Sequence, residues 1–246
     1  MYLNDVHIMQ YVLFGIVGAI IGQFMDWCAI RMPEYKKVFT KDILKNLKPN
    51  YILMAIVAIM YMLLVYKFGI AEDFMHNLTL IKFLILVPML VSIFVIDYKH
   101  LIIPNRMNLT MLEIGLVFTF IYGINSLNSA IDMILGMLVG GGIFLLITLI
   151  GGLIAGKEAM GFGDVKLMGA MGLFFGFRSM IVISILSFLI GAILSIILLA
   201  TKIKKSNEYI PFGPFIVIAA IVTIFIPFDL IVSILLEIFT LGMYAG

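Results

Sequence analysis

Two of the fourteen acidic residues, Asp97 and Asp164, each lie in a local sequence that could position a carboxylate for chemistry. Asp97 ends a long apolar run, and Pro104 follows it where the next helix is expected to begin. Asp164 ends the tetrapeptide GFGD, in which Gly161 and Gly163 permit close helix approach that larger residues prevent. An aspartate at the start of a helix can also serve only as its N-cap, so Asp164 alone does not indicate catalysis.

A pair of carboxylates at one membrane surface can hydrolyse a peptide bond. Carboxylates a few ångströms apart cannot both ionise easily, so they share one proton and titrate as a unit. The charged member deprotonates a water molecule, while the protonated member polarises the scissile carbonyl. This scheme needs no metal, serine or cysteine. The sequence contains neither HExxH nor GxSxG, the signatures of common metalloproteases and serine hydrolases.

The composition indicates a protein whose solvent includes lipid. Hydrophobic residues make up 63% of the 246 residues, charged residues make up 12%, and the mean hydropathy is +1.20. Such a chain cannot cover its apolar surface with its own polar residues. The net charge of +2 and the absence of one basic tract argue against nucleic acid as a partner. We therefore expect an all-α, polytopic transmembrane bundle in the lipid bilayer, forming one membrane-embedded domain over residues 1–246.

The apolar runs predict about eight spans. The sixth run is short for a full crossing, and the last contains Pro227, so it forms either one kinked span or a span followed by an interfacial helix. The runs lie at residues 8–30, 51–68, 78–96, 107–124, 131–155, 164–177, 179–200 and 211–244.

Basic residues on alternate connections predict the orientation of these spans, because cytoplasmic loops are enriched in Lys and Arg. Of the sixteen basic residues, only Lys67, Lys82 and Arg178 lie on one side. This split predicts an amino terminus outside, a short basic cytoplasmic segment at 31–50, and both aspartates on the cytoplasmic face. The other thirteen are Arg31, Lys36, Lys37, Lys41, Lys45, Lys48, Lys99, Arg106, Lys157, Lys166, Lys202, Lys204 and Lys205.

Four stretches, in this order along the chain, resemble the motifs of one family. The segments DYKHLIIPN (97–105) and GFGDVKLMG (161–169) resemble the two active-site motifs of the type IV prepilin peptidases, which are bacterial GxGD-type intramembrane aspartic peptidases. The segment GQFMDWCAIRMP (22–33) is similar to the family's first-helix motif, and EYIPFGPF (208–215) is similar to its late proline-glycine motif. Together the four stretches span most of the chain.

The resemblance implies an activity and assigns residues to it. Asp97 and Asp164 would be the catalytic pair, and the motifs that hold them include Gly161, Gly163, Pro104 and Lys166. The implied substrates are prepilin or pseudopilin precursors, in which a short basic leader ending in glycine precedes an apolar helix. Cleavage would occur at the cytoplasmic face of the bacterial inner membrane, in agreement with the charge count.

The chain departs from the family pattern in the segment after the first helix. Many relatives have a larger cytoplasmic domain there, with two CxxC pairs that bind zinc, whereas segment 31–50 has no cysteine and Cys28 is the single cysteine of the chain. We therefore expect no cofactor and no metal. We also expect the chain to lack the methyl transfer from S-adenosylmethionine that is associated with that domain. In addition, Asp26 replaces a usual asparagine.

Two other functions are compatible with the residues. The buried acids Asp26 and Glu113 could relay protons in a proton-coupled transporter, and an inactive scaffold for pilus assembly would tolerate loss of either aspartate. For a peptidase, the candidate leader contacts are Glu34, Asp42 and Glu158. The sequence carries no signal for an oligomeric state or for one particular precursor.

Overall fold

In the computed structural model, which describes residues 2–3, 6–38, 48–156, 160–202 and 209–240, the protein is a bundle of α-helices. A short antiparallel pair, β1 (Tyr2–Leu3) and β2 (Val6–His7), precedes the helices. The predicted all-α architecture is confirmed. The helices are α1 (Ile8–Arg31), α2 (Tyr51–Phe68), α3 (Phe74–His100), α4 (Asn105–Asn125), α5 (Leu127–Ala155), α6 (Phe162–Ala200), α7 (Gly213–Phe225) and α8 (Phe228–Phe239).

Six of these helices, α1 to α6, are long and apolar enough to cross a membrane. Large apolar side chains on their outer faces are exposed, including Leu153 and Ile154 at 85% and 83%. In water such a surface would aggregate, whereas in a bilayer it contacts lipid tails. The chain is a multi-pass membrane protein. The amino terminus outside and the exact number of spans stay predictions.

Helix α6 is interrupted at Gly176, whose φ of 74° is readily adopted only by glycine. A side chain added at Gly140 on α5 would lie 2.6 Å from both the Met168 carbonyl oxygen and the Met180 methyl group. In a straight helix Met168 and Met180 would be about 18 Å apart. The chain therefore folds back at Gly176, and the division between the sixth and seventh predicted runs is confirmed.

The last apolar run forms two helices and not one kinked span. Helix α7 ends at Phe225, and Pro227 occupies the N-cap position of α8. With 13 and 12 residues, these helices are about 20 Å long, which is less than the ~30 Å thickness of the hydrocarbon core. Neither helix alone crosses the membrane at full thickness.

Helix α3 contains Pro88, which cannot donate the hydrogen bond that the carbonyl of Leu84 would accept in a regular helix. The Tyr61 hydroxyl on α2 donates to this Leu84 oxygen at 2.6 Å. An unpaired backbone carbonyl is costly inside a membrane, so Tyr61 offsets the effect of the proline. Helix α3 thus continues unbroken to the end that holds Asp97.

Candidate active site

Asp97 is held in the last turn of α3, because the helix continues to His100 before Leu101 ends it in the left-handed conformation. Its side chain is 5% exposed. The backbone N–H of Gly213, the first residue of α7, donates a hydrogen bond of 2.9 Å to Asp97 Oδ2. The N-terminus of α7 thus points at this carboxylate and favours its charged form.

Asp164 is the third residue of α6, and its side chain is 4% exposed. The N-cap position belongs to Gly161, and no side chain caps this helix start among the described residues. The simple N-cap interpretation of Asp164 is therefore wrong. Its Oδ1 is buried and has no hydrogen-bond partner among the described residues. Since buried polar atoms are nearly always paired, this oxygen is available for a ligand or water.

The two carboxylates face one cavity of about 350 Å³ and interact electrostatically. The cavity lies where the ends of α3, α4 and α6 meet, beneath the short connection from Leu101 to Pro104. Asp97 and Asp164 are therefore brought together as the alternation of the helices predicted. The cavity is also lined by Met32, Tyr35, Ile103, Arg106 and Tyr209.

All four supporting residues from the sequence motifs line the same cavity. Pro104 is the N-cap residue of α4, as predicted from its spacing after Asp97. A side-chain carbon added at Gly163 would lie 3.2 Å from the Ile103 Cβ atom, so glycine allows α6 to approach the 101–104 connection closely. Lys166 donates a hydrogen bond of 2.8 Å to Asn105 Oδ1 and thereby joins α6 to α4 at the cavity rim.

Two residues that contact this machinery were not singled out as site residues in the sequence. Gly213 was only one letter of the late proline-glycine stretch, yet its N–H contacts Asp97. Asn108 is 4% exposed, and its Nδ2 donates to the Gly163 carbonyl oxygen at 3.2 Å. The sequence signal that could have revealed Asn108 is an asparagine inside an apolar run, four residues after Pro104.

The acids proposed for proton relay have different surroundings. Asp26 is buried and accepts a hydrogen bond of 2.7 Å from Asn50 Nδ2, which ties the end of α1 to the start of α2. This contact is a structural use for the aspartate that replaces the usual asparagine. Glu113 is exposed on the outer face of α4.

Of the candidate leader contacts, Glu34 already forms an ion pair with Lys36 at the surface. The hydrogen bond and the positive charge of Lys36 lower the pKa of Glu34. Exposed pairs of this kind contribute little stability, so Glu34 can exchange partners at small cost. Asp42 and Glu158 lie outside the described residues.

The central part of the chain matches a known protein family. Residues 84–196, which include both aspartates, match the model of the type IV leader peptidase family. This part of the chain is similar to the type IV leader peptidases. The expected resemblance is confirmed for the part of the chain that holds two of the four motifs, residues 97–105 and 161–169.

Several bacterial proteins that are similar to about half of the chain are named prepilin leader peptidase/N-methyltransferase. The one from Aeromonas hydrophila is 33% identical over 136 residues, which is 55% of this chain and 46% of the relative. The one from Pseudomonas aeruginosa is 34% identical over 131 residues, covering 53% and 44% respectively. The one from Legionella pneumophila is 30% identical over 155 residues, covering 62% and 52%. The chain thus spans about half the length of the curated relatives that it matches, and no solved structure matches it.

Proposed function

We propose that this protein is an intramembrane aspartic endopeptidase that removes the leader peptide from prepilin-like precursors. The observation that supports this function best is the pair of buried carboxylates, Asp97 and Asp164, which face one cavity inside the segment that matches the type IV leader peptidases. The names of the relatives support the substrate class.

The surroundings of the two carboxylates favour different roles for them. The Gly213 N–H and the N-terminus of α7 stabilise negative charge on Asp97, so Asp97 is the general base that removes a proton from the attacking water. Asp164 has a buried oxygen without a donor, which suits the protonated acid. Asp164 hydrogen-bonds the scissile carbonyl as the water oxygen attacks its carbon.

The remaining steps conserve protons. The carbonyl becomes a tetrahedral gem-diol after Asp97 has accepted the proton of water and Asp164 has delivered its own proton to the carbonyl oxygen. Collapse of this intermediate breaks the C–N bond, with the proton on Asp97 passing to the leaving amine. A hydroxyl proton of the gem-diol returns to Asp164, and the pair regains its single shared proton.

The supporting residues keep the carboxylates at a reactive separation. Gly163 allows the start of α6 to pack against the 101–104 connection, and Asn108 holds the Gly163 carbonyl from α4. Lys166 and Asn105 join the same two helices at the rim. Rigid placement of this kind matters because a misplacement of about 1 Å can reduce the rate of an enzyme about a hundredfold.

The cavity is proposed to open at the cytoplasmic face of the bacterial inner membrane. The distribution of Lys and Arg along the sequence supports this orientation, since thirteen of sixteen fall on the side of the predicted spans that includes Asp97. A precursor inserted with its basic leader in the cytoplasm would present its cleavage site at the same membrane edge.

Purified protein in lipid vesicles, incubated with a purified precursor, tests this function directly. We expect two products whose masses correspond to cleavage after the last glycine of the leader. The matched control is a precursor in which that glycine is replaced by a bulky residue, and it should remain intact. A transporter or an inactive scaffold would leave both precursors uncut, which would contradict the proposal.

A further inference from the structure

A second and larger cavity lies on the outer face of the bundle, between α1, α3 and α4. Its volume is about 790 Å³, compared with about 350 Å³ for the cavity between the aspartates. Its walls are largely apolar and come from Met25 and Cys28 on α1, Leu84 and Pro88 on α3, and Ile114 on α4. We call this cavity the apolar groove.

The apolar groove adjoins the catalytic cavity. Met32, after the end of α1, and Arg106, in the first turn of α4, line both spaces. From Met32, the groove extends along α1 to Ile21, which corresponds to a depth of about 17 Å in a helix. A segment emerging from the catalytic cavity can thus enter the groove without leaving the protein surface.

Polar groups in the groove lie mainly at the membrane edge. Lys37, Arg106 and Thr110 line the end next to the catalytic cavity. Deeper in the groove, the hydroxyl of Tyr61 is already committed to the carbonyl oxygen of Leu84. The deep part is therefore suited to an apolar helix, whose backbone polar groups are satisfied internally.

We propose that the apolar groove binds the membrane helix that follows the cleavage site of the precursor. This inference rests on the proposed peptidase function, because a bond held between the aspartates must be followed by an apolar segment that enters the membrane. The groove begins beside the cavity proposed to hold the scissile bond and provides an apolar wall for about 17 Å along α1, from Met32 to Ile21. Since lipid tails are as apolar as the groove, selectivity comes from close packing of the helix against its walls.

Disulfide cross-linking tests whether the apolar helix of the precursor occupies the groove, and it does not require cleavage. Thr110 is exposed and lines the groove, whereas Leu149 on α5 is 55% exposed outside it, at a similar distance from the same membrane edge. Each is replaced by cysteine in a Cys28→Ser, Asp97→Asn background and combined with a precursor carrying one cysteine in its apolar helix. We expect cross-linking to Thr110→Cys at least tenfold above Leu149→Cys. Equal or absent cross-linking would mean that lipid fills the groove and would overturn the proposal.

A steric variant supplies a second test in the active protein. Ile114→Trp fills the groove, and the matched control Val117→Trp places the same side chain on an outward position that is 58% exposed on α4. We expect Ile114→Trp to lower kcat/KM at least tenfold on the membrane precursor, mainly through KM. Cleavage of a short peptide that contains the cleavage site without the apolar helix should not change.

These measurements separate the groove from the peptidase function. Suppose that the unmodified protein cleaves the membrane precursor and that the two tryptophan variants cleave it at equal rates. This result would overturn the proposal that the groove binds the apolar helix, and it would leave the peptidase function intact. Loss of peptide cleavage in Ile114→Trp at a normal membrane level would also overturn it, because the effect would then reach the aspartates directly. Absence of cleavage by the unmodified protein would contradict the peptidase function itself.

Discussion

Replacing Gly213 with alanine should impair catalysis without removing any catalytic group. A Cβ atom at this position would lie 2.6 Å from Asp97 Oδ2, while ordinary van der Waals contact begins at 3.4 Å. The difference, 3.4 − 2.6 = 0.8 Å, is the distance by which the carboxylate or the start of α7 must move. A displacement of this size in a catalytic site costs on the order of a hundredfold in rate.

The effect of Gly213→Ala should be steric and local. The backbone of Gly213 is outside the left-handed region, so alanine meets no conformational strain, and its N–H remains available to Asp97. Gly142→Ala is the matched control, since an added Cβ there has no neighbour within 4 Å. Initial rates of precursor cleavage are compared at equal protein levels in vesicles. Activity of Gly213→Ala within threefold of the unmodified protein would refute the role assigned to the α7 N-terminus.

Three further predictions use the same cleavage assay. Gly163→Val should lose activity on the order of a hundredfold, because the new side chain would press on Ile103 and separate the carboxylates; near-normal activity would make the GFGD glycine incidental. Asn108→Ala should lose about tenfold in kcat through the lost bond to Gly163, at an unchanged membrane level, and an unaltered kcat would remove this residue from the site. Chelators should leave cleavage unchanged. The mature product should lack a methyl group on its amino terminus even when S-adenosylmethionine is present, and an added methyl mass would contradict the expected lack of methyl transfer.

Several features of the fold could be predicted because their signals are local. The run 51–68 corresponds to α2 residue for residue, since Asn50 caps its start and Gly69 ends it. Pro104 is likewise a local signal, because it occupies the N-cap position at which α4 starts. The last apolar run was ambiguous, because hydropathy alone does not show whether Pro227 bends a helix or separates two.

The positions of the two aspartates could be predicted because their sequence motifs and the order of the helices indicate the same membrane edge. Asp97 and Asp164 were expected to meet because both lie at ends of helices on one membrane edge, and they line one cavity. The contact of Gly213 with Asp97 joins residues far apart in the chain, so no periodic pattern reveals it. The apolar groove is a gap left between three packed helices, which sequence patterns on the individual helices do not encode.

The central claim, that Asp97 and Asp164 act as one catalytic pair, is tested most directly by asparagine substitution at each position and at both. Asparagine preserves shape but cannot share the proton that the mechanism requires. Asp73→Asn is the control, because asparagine still caps the start of α3. We predict that both single variants and the double variant cleave the precursor at the same background rate, since removing either member inactivates the unit. Near-normal cleavage by either single variant would contradict the account.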